Sequence, residues 1–194
     1  MSRGVKSLAI FFGFVVIYAI SRHVIDAPSS TTTTISTTTT TLTSTTLASN
    51  ICSASDFTGV YNEGEGAAGT VYATVTLLKS TAGSCTIKGW PLLTLQDKLG
   101  AVLPATLVDV PSQGTGFQFL SSQANAAPST VTLTKNEATI FALAYSDVPT
   151  GTAVCESAVT LSVQFATQGA AISVTPTYPA QPCNGGQIWL SPFY

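Results

Sequence analysis

Charge is what this sequence has least of. Charged residues make up 8% of the chain, against roughly 25% in ordinary soluble domains. From Asn50 onward there is no arginine, and four lysines (Lys79, Lys88, Lys98, Lys135) stand against eight acids (Asp56, Glu63, Glu65, Asp97, Asp109, Glu137, Asp147, Glu156). Nucleic-acid binding needs a cationic field to release phosphate counterions, so that function is excluded. The one histidine is His23, which leaves the rest of the chain without the usual base for activating a hydroxyl nucleophile. A Ser–Lys pair through one of the four lysines is the remaining route, and no motif supports it. No Asn-x-Ser/Thr sequon occurs, so N-linked glycans are not expected. The four cysteines, Cys52, Cys85, Cys155 and Cys183, include no C-x-x-C and have no histidine near them, which argues against a zinc site.

What the sequence does have is an order of three unlike segments. Residues 7–21 are apolar throughout, flanked by Arg3 and Lys6 before and Arg22 and His23 after. Fifteen helical residues span only about 22 Å, short of the roughly 30 Å hydrocarbon core. With Lys6 and Arg22 snorkelling, residues 5–25 reach about 31 Å. Positive charge is heavier on the amino side, so the amino end should stay in the cytoplasm and the remainder should be translocated. The rival is a cleaved signal peptide, whose best site follows Ala19-Ile20-Ser21; arginine would then begin the mature chain. We expect an uncleaved anchor over residues 1–28, with a single pass through the cell membrane. Residues 29–49 are almost entirely Thr and Ser. Such a tract buries too little apolar surface to offset the entropy of ordering, and reads as a disordered stalk of the kind often O-glycosylated.

Residues 50–194 form the displayed domain, which should fold around one core. Over 70–77, Val71, Ala73, Val75 and Leu77 alternate with Thr70, Tyr72, Thr74 and Thr76, and over 158–165 Val159, Leu161, Val163 and Phe165 alternate with polar or small residues. Each is a strand with one buried face. Further strands are expected over 85–96, 101–108, 130–133, 138–145, 172–175 and 187–190, separated by turn signals at 82–83, 97–100, 135–136, 149–151 and 182–186. Both faces of 138–145 are apolar, which suggests a central strand. No window shows a helical period. The expected fold is all-β: an immunoglobulin-like antiparallel β-sandwich, preceded by an N-terminal transmembrane helix and a Thr-rich stalk. An even cysteine count outside the cytoplasm favours two disulfides. Three pairings are possible; an up-and-down chain brings cysteines two strands apart to the same end, so Cys52 with Cys85 and Cys155 with Cys183 is preferred.

Three groups of residues suggest chemistry. Residues 64–69, Gly-Glu-Gly-Ala-Ala-Gly, match the dinucleotide fingerprint by letter, but they precede a strand, whereas the motif must follow one and open a helix; they read as a flexible loop. Glu63 and Glu65 offer paired carboxylates for glycoside hydrolysis or calcium, yet sit among glycines, where fixed geometry is hard to hold, so they read as solvated loop acids. If Ile188 and Leu190 face the core, Trp189 faces out, and either forms with Phe193 and Tyr194 an aromatic surface for sugar rings or a partner protein, or packs under a loop or a neighbouring strand. Trp90, beside Pro91 and a disulfide, reads as structural.

The strings "AAGTVYATVTLLKSTAGSCTIKGWPLLTLQDKLG", "VTLTKNEATIFALAYSD", "CESAVTLSVQF" and "CNGGQIWLSPF" resemble the domain of unknown function numbered 4232, found in secreted and membrane-anchored actinobacterial proteins. The most specific part is the S-C-T-[LI]-x-G-[YW]-P core around Cys85, Gly89, Trp90 and Pro91. That family usually has Asn near Lys79 and Pro-Gly near Lys135-Asn136; Asn136 tolerates the left-handed backbone a glycine would take. The resemblance implies a β-sandwich and an exported location, and no established activity. The expected function is a membrane-anchored surface module that binds a protein or envelope glycan without catalysis, cofactor or metal. A structural or chaperone-like part of an envelope assembly is the alternative, and a cell-wall-active enzyme the lesser one.

Overall fold

The computed structural model describes residues 50–111, 116–165 and 169–194. The expected anchor and stalk lie outside these residues. Among the described residues no helix is long and apolar enough to cross a membrane.

The fold is all-β. Among the described residues, twelve strands follow in chain order: β1 (Phe57–Asn62), β2 (Gly66–Ala67), β3 (Thr70–Lys79), β4 (Cys85–Ile87), β5 (Leu92–Gln96), β6 (Val102–Leu103), β7 (Thr106–Asp109), β8 (Val131–Leu133), β9 (Ala138–Ser146), β10 (Thr160–Gln164), β11 (Ile172–Val174) and β12 (Gln187–Leu190). One sheet has the order β1, β3, β9, β12, β7, with β2 added to β3; a second has the order β11, β10, β5, β6; β4 and β8 pair separately. Pairing is antiparallel throughout except for β12 with β7, which is parallel.

The two larger sheets share one core. Alternation sends Ala73, Val75 and Leu77 of β3 inward, where they meet Phe141 and Leu143 of β9 and Leu93, Leu95, Leu161, Val163, Ile172 and Val174 from the other sheet. A run of edge-to-face rings crosses this core: Phe57 to Phe165 at 5.2 Å, Phe165 to Phe193 at 5.7 Å and Phe193 to Phe141 at 5.8 Å. Each such pair contributes about 0.5–1.5 kcal/mol beyond area burial. As its two apolar faces suggest, β9 is central, lying between β3 and β12.

Two expected strands are each divided. The run over 85–96 breaks between Ile87 and Leu92, and its halves enter different sheets. Gly89 has φ 95° there, and Pro91 has no N–H for a ladder. The run over 101–108 breaks between Leu103 and Thr106, around Pro104. Residues 64–69 form part of a β-hairpin. Ala68 and Gly69, with φ 52° and 81°, lie between the paired residues Ala67 and Thr70, the two positive φ values that a two-residue hairpin turn demands.

The cysteines pair as Cys52–Cys85 and Cys155–Cys183. The first pairing arises locally: Ile51 bridges Thr86 in parallel, and the Cys52 N–H donates to the Thr86 carbonyl at 3.0 Å. The second ties the chain beyond β9 to the loop entering β12.

Lys79 is buried, 2% exposed. Its Nζ donates to the Thr81 carbonyl at 3.0 Å and to Thr81 Oγ1 at 2.7 Å, and that hydroxyl donates to Asp56 Oδ1 at 2.8 Å. The threonine proton thus points at a carboxylate, and the lysine acts as donor. This is a hydroxyl-bridged tie between β3 and the 3-10 turn Ala54–Asp56, not an activated nucleophile.

Candidate functional site

The outer face of the larger sheet carries a second apolar cluster. It starts from two alanines on the central strand: Ala142 lies opposite Thr74, and Ala144 lies between Tyr72 and Trp189. Small residues there leave a trough between two aromatic neighbours. Phe117 fills one end, stacked on Trp189 at 4.5 Å and 6°, with Tyr72 on its other side at 6.1 Å and 22°. Phe119 meets Phe117 edge-on at 5.2 Å. The segment bearing both phenylalanines is held by the Asn125 side chain, which accepts from the Phe119 N–H at 2.7 Å and donates to the carbonyls of Phe119 at 2.8 Å and Ser121 at 3.0 Å. Where this segment leaves β7, the Trp90 indole donates to the Val110 carbonyl at 3.0 Å, so Trp90 is structural.

The other end of the trough is open. A groove of about 310 Å³ is lined by residues 62–65, 72–74, 119–121, Ala142 and Tyr194. Its floor holds Thr74 and Ala142. Tyr72, Phe119 and Tyr194 give it aromatic walls, and Asn62, Ser121 and the loop 63–65 complete its lining. The Asn62 amide donates to Thr76 Oγ1 at 2.9 Å and to Thr74 Oγ1 at 3.3 Å. Burial raises the Tyr194 phenol above its ordinary value, with the Ser121 hydroxyl opposing that shift; Tyr194 is therefore a neutral donor at neutral pH.

The glutamate loop is not free. A Cβ on Gly64 would run into the Tyr72 carbonyl oxygen, so the loop backbone lies directly against β3. The Tyr72 N–H donates to the Glu65 carbonyl at 3.3 Å, and Glu63 Oε1 accepts from the Tyr178 N–H at 3.1 Å. Glu63 and Glu65 are both exposed. Behind the loop, on the core side, Tyr61 and Tyr145 lie side by side, and burial raises both phenols. The Tyr61 hydroxyl is buried without a hydrogen-bond partner among the described residues. Among the described residues no three His, Cys, Asp or Glu side chains gather as metal ligands.

A family model for a domain of unknown function, DUF4232, matches residues 52–194. The chain belongs to that family. No curated protein and no solved structure matches it.

The DUF4232 domain distributes the three expected surface aromatics differently from the sequence reading. Trp189 points away from the main core, and Phe117 stacks over it, so it is half-buried: it packs under a loop, the alternative to an open platform. Phe193 is 1% exposed and sits in the main core between Phe141 and Phe165; it contributes no surface. Tyr194 alone of the three lines the groove. The cause is a bulge. Leu190 opposes Leu143, yet Tyr194 exchanges both backbone hydrogen bonds with Ile140, so the chain after β12 advances four residues while β9 advances three. One extra residue reverses the side-chain parity. Tyr72 and Phe119 were missed. Tyr72 had a signal, a single aromatic among threonines on the outward face of β3; Phe119 lies in a stretch with no period.

Proposed function

We propose that this chain is a non-catalytic binding module held on the outer side of the cell membrane by its N-terminal segment and Thr-rich stalk, and that its DUF4232 domain, an immunoglobulin-like sandwich, takes an envelope glycan in the groove. The observation that carries the reading is the groove itself: a space within the roughly 300–1,000 Å³ range of small-molecule sites, with three aromatic walls and convergent polar groups. Aromatic rings offer flat apolar faces to the C–H side of a sugar ring, and Asn62, Thr74 and Ser121 match its hydroxyls. A polypeptide is the poorer fit. The floor is the face of a paired sheet, where Thr74 and Ala142 oppose each other in the β3–β9 ladder, so an extended peptide would find no free main-chain partners. Disulfide pairing of all four cysteines supports an oxidising compartment.

Co-sedimentation of the oxidised full chain in detergent with insoluble envelope glycan tests this reading. Retention should be lost in Thr74→Phe, which fills the groove from an outward-facing position, with the thermal transition kept. Equal retention of the two proteins would place binding elsewhere; no retention of either would remove the glycan.

A further inference from the structure

We infer that the groove takes the end of a glycan chain, with Phe117 as the stop beyond which the chain cannot pass and the rest of the chain leading away over the sheet. This rests on the groove reading above and adds which part of the glycan is recognised. Across β1, β3 and β9 the outer face of the larger sheet is ordered in rows. In the first row Ala144 lies opposite Tyr72 and is fully covered, because Phe117 is wedged over it between Tyr72 and Trp189, nearly parallel to both rings. Three stacked rings therefore stand across the strands, and Phe119 abuts the middle one edge-on. The bonds from Asn125 to Phe119 and Ser121 hold the segment that carries this wall. One flank of the groove is the loop 63–65, packed against the Tyr72 carbonyl at Gly64; the other is Ser121 and Tyr194. A trough closed on three sides is blind, so a chain can enter it and cannot run through.

Away from that wall the face opens row by row. Asn62, Thr74 and Ala142 form the second row and belong to the groove. The two rows after it, Val60–Thr76–Ile140 and Thr58–Leu78–Ala138, continue for about 14 Å of strand. Exposure rises along them: Ala142 is 5% exposed, Val60 56% and Leu78 42%. Both rows carry hydroxyls and apolar groups and no charge, the same mixture a sugar chain presents, so a neutral chain leaving the groove meets a compatible path. An enclosed end and an open continuation suit a terminus. An interior segment would have to displace the ring stack or one of the two flanks.

Competition between chain lengths tests this. Soluble linear fragments released from insoluble envelope glycan by partial hydrolysis are sized into pools, and each pool displaces the oxidised full chain, in detergent, from the intact glycan. A groove that recognises ends counts chains, so the half-displacing concentration per chain should agree within about twofold between pools whose lengths differ about fourfold. A groove that binds interiors counts sugar units, and the longer pool would then be about fourfold stronger per chain. That result would overturn the inference and leave the groove reading intact, provided Thr74→Phe still abolishes retention. Phe117→Ala, with its thermal transition kept, removes the stop, and dependence on length should appear; continued independence in the folded variant would overturn the role given to Phe117. Sedimentation of the same preparation covers the remaining occupant: a self-associated chain that the long pool fails to displace would assign the open rows to a second copy and overturn the inference. If no pool displaces the chain, or Thr74→Phe is retained as well as the parent, both readings fall.

Discussion

Ala68 holds a left-handed backbone, φ 52°, in the two-residue turn between β2 and β3, a conformation that costs an alanine roughly 1–2 kcal/mol. Ala68→Gly should therefore raise stability by about 1 kcal/mol, read as a melting temperature higher by about 4 °C. Gly64 makes the opposite prediction. Gly64→Ala must push the loop off the Tyr72 carbonyl, so it should destabilise by about 1–3 kcal/mol and weaken glycan retention together, in the same preparation. Single-residue readings from sequence succeeded where one backbone property decided them. Asn136 takes φ 70°, as expected of the residue standing where the family has glycine. They failed where parity depended on a count: Phe193 was assigned to the surface because nothing in Leu190-Ser191-Pro192 announces a bulge.

The strands themselves were legible because alternation is a local property, and most expected elements exist within a few residues. Partners were less legible. Gly89 and Pro91 are visible in the sequence, but that they send β4 and β5 into different sheets depends on long-range pairing. Ser191 shows the cost of the bulge after β12. It is fully buried, and its Oγ accepts from the Ala142 N–H at 2.8 Å where the ladder is interrupted. Ser191→Ala leaves that buried donor unpaired, and denaturant unfolding should show a loss of about 1–3 kcal/mol. The Cys52–Cys85 bridge, closing a loop with sequence separation 33, contributes roughly 3.5 kcal/mol in the chain-entropy account; Cys52→Ser/Cys85→Ser should lose about that much. The Asp56–Thr81–Lys79 tie predicts a pH effect. The Thr81 hydrogen bond leads the causes that lower the Asp56 pKa in the folded protein. Its contribution is then fully present above the ordinary carboxylate value of 3.8 and is lost as pH falls through the lower folded value. Melting curves at falling pH should show an acid decline that is smaller in Asp56→Asn.

At the scale of the molecule, the site belongs to a layer that no periodicity marks. Residues 117–125 lie over the outer face of the larger sheet, carried by Phe117, Phe119 and Asn125, and the groove is the part of that face they leave open. A stretch without alternation gives no reading of which face it covers, so the wall at Phe119 appears only in three dimensions, while Glu63, Glu65 and Tyr194 were already in view as residues without a place. The groove shares the low charge of the whole chain, and no lysine or arginine lines it.

The most direct test of the account maps binding onto the domain: backbone amide shifts of the isotope-labelled, oxidised full chain titrated with soluble envelope glycan. The groove reading predicts shifts concentrated at residues 62–65, 72–74, 119–121 and 194. Shifts at the hairpin tip around Leu99, or across the second sheet, would contradict it.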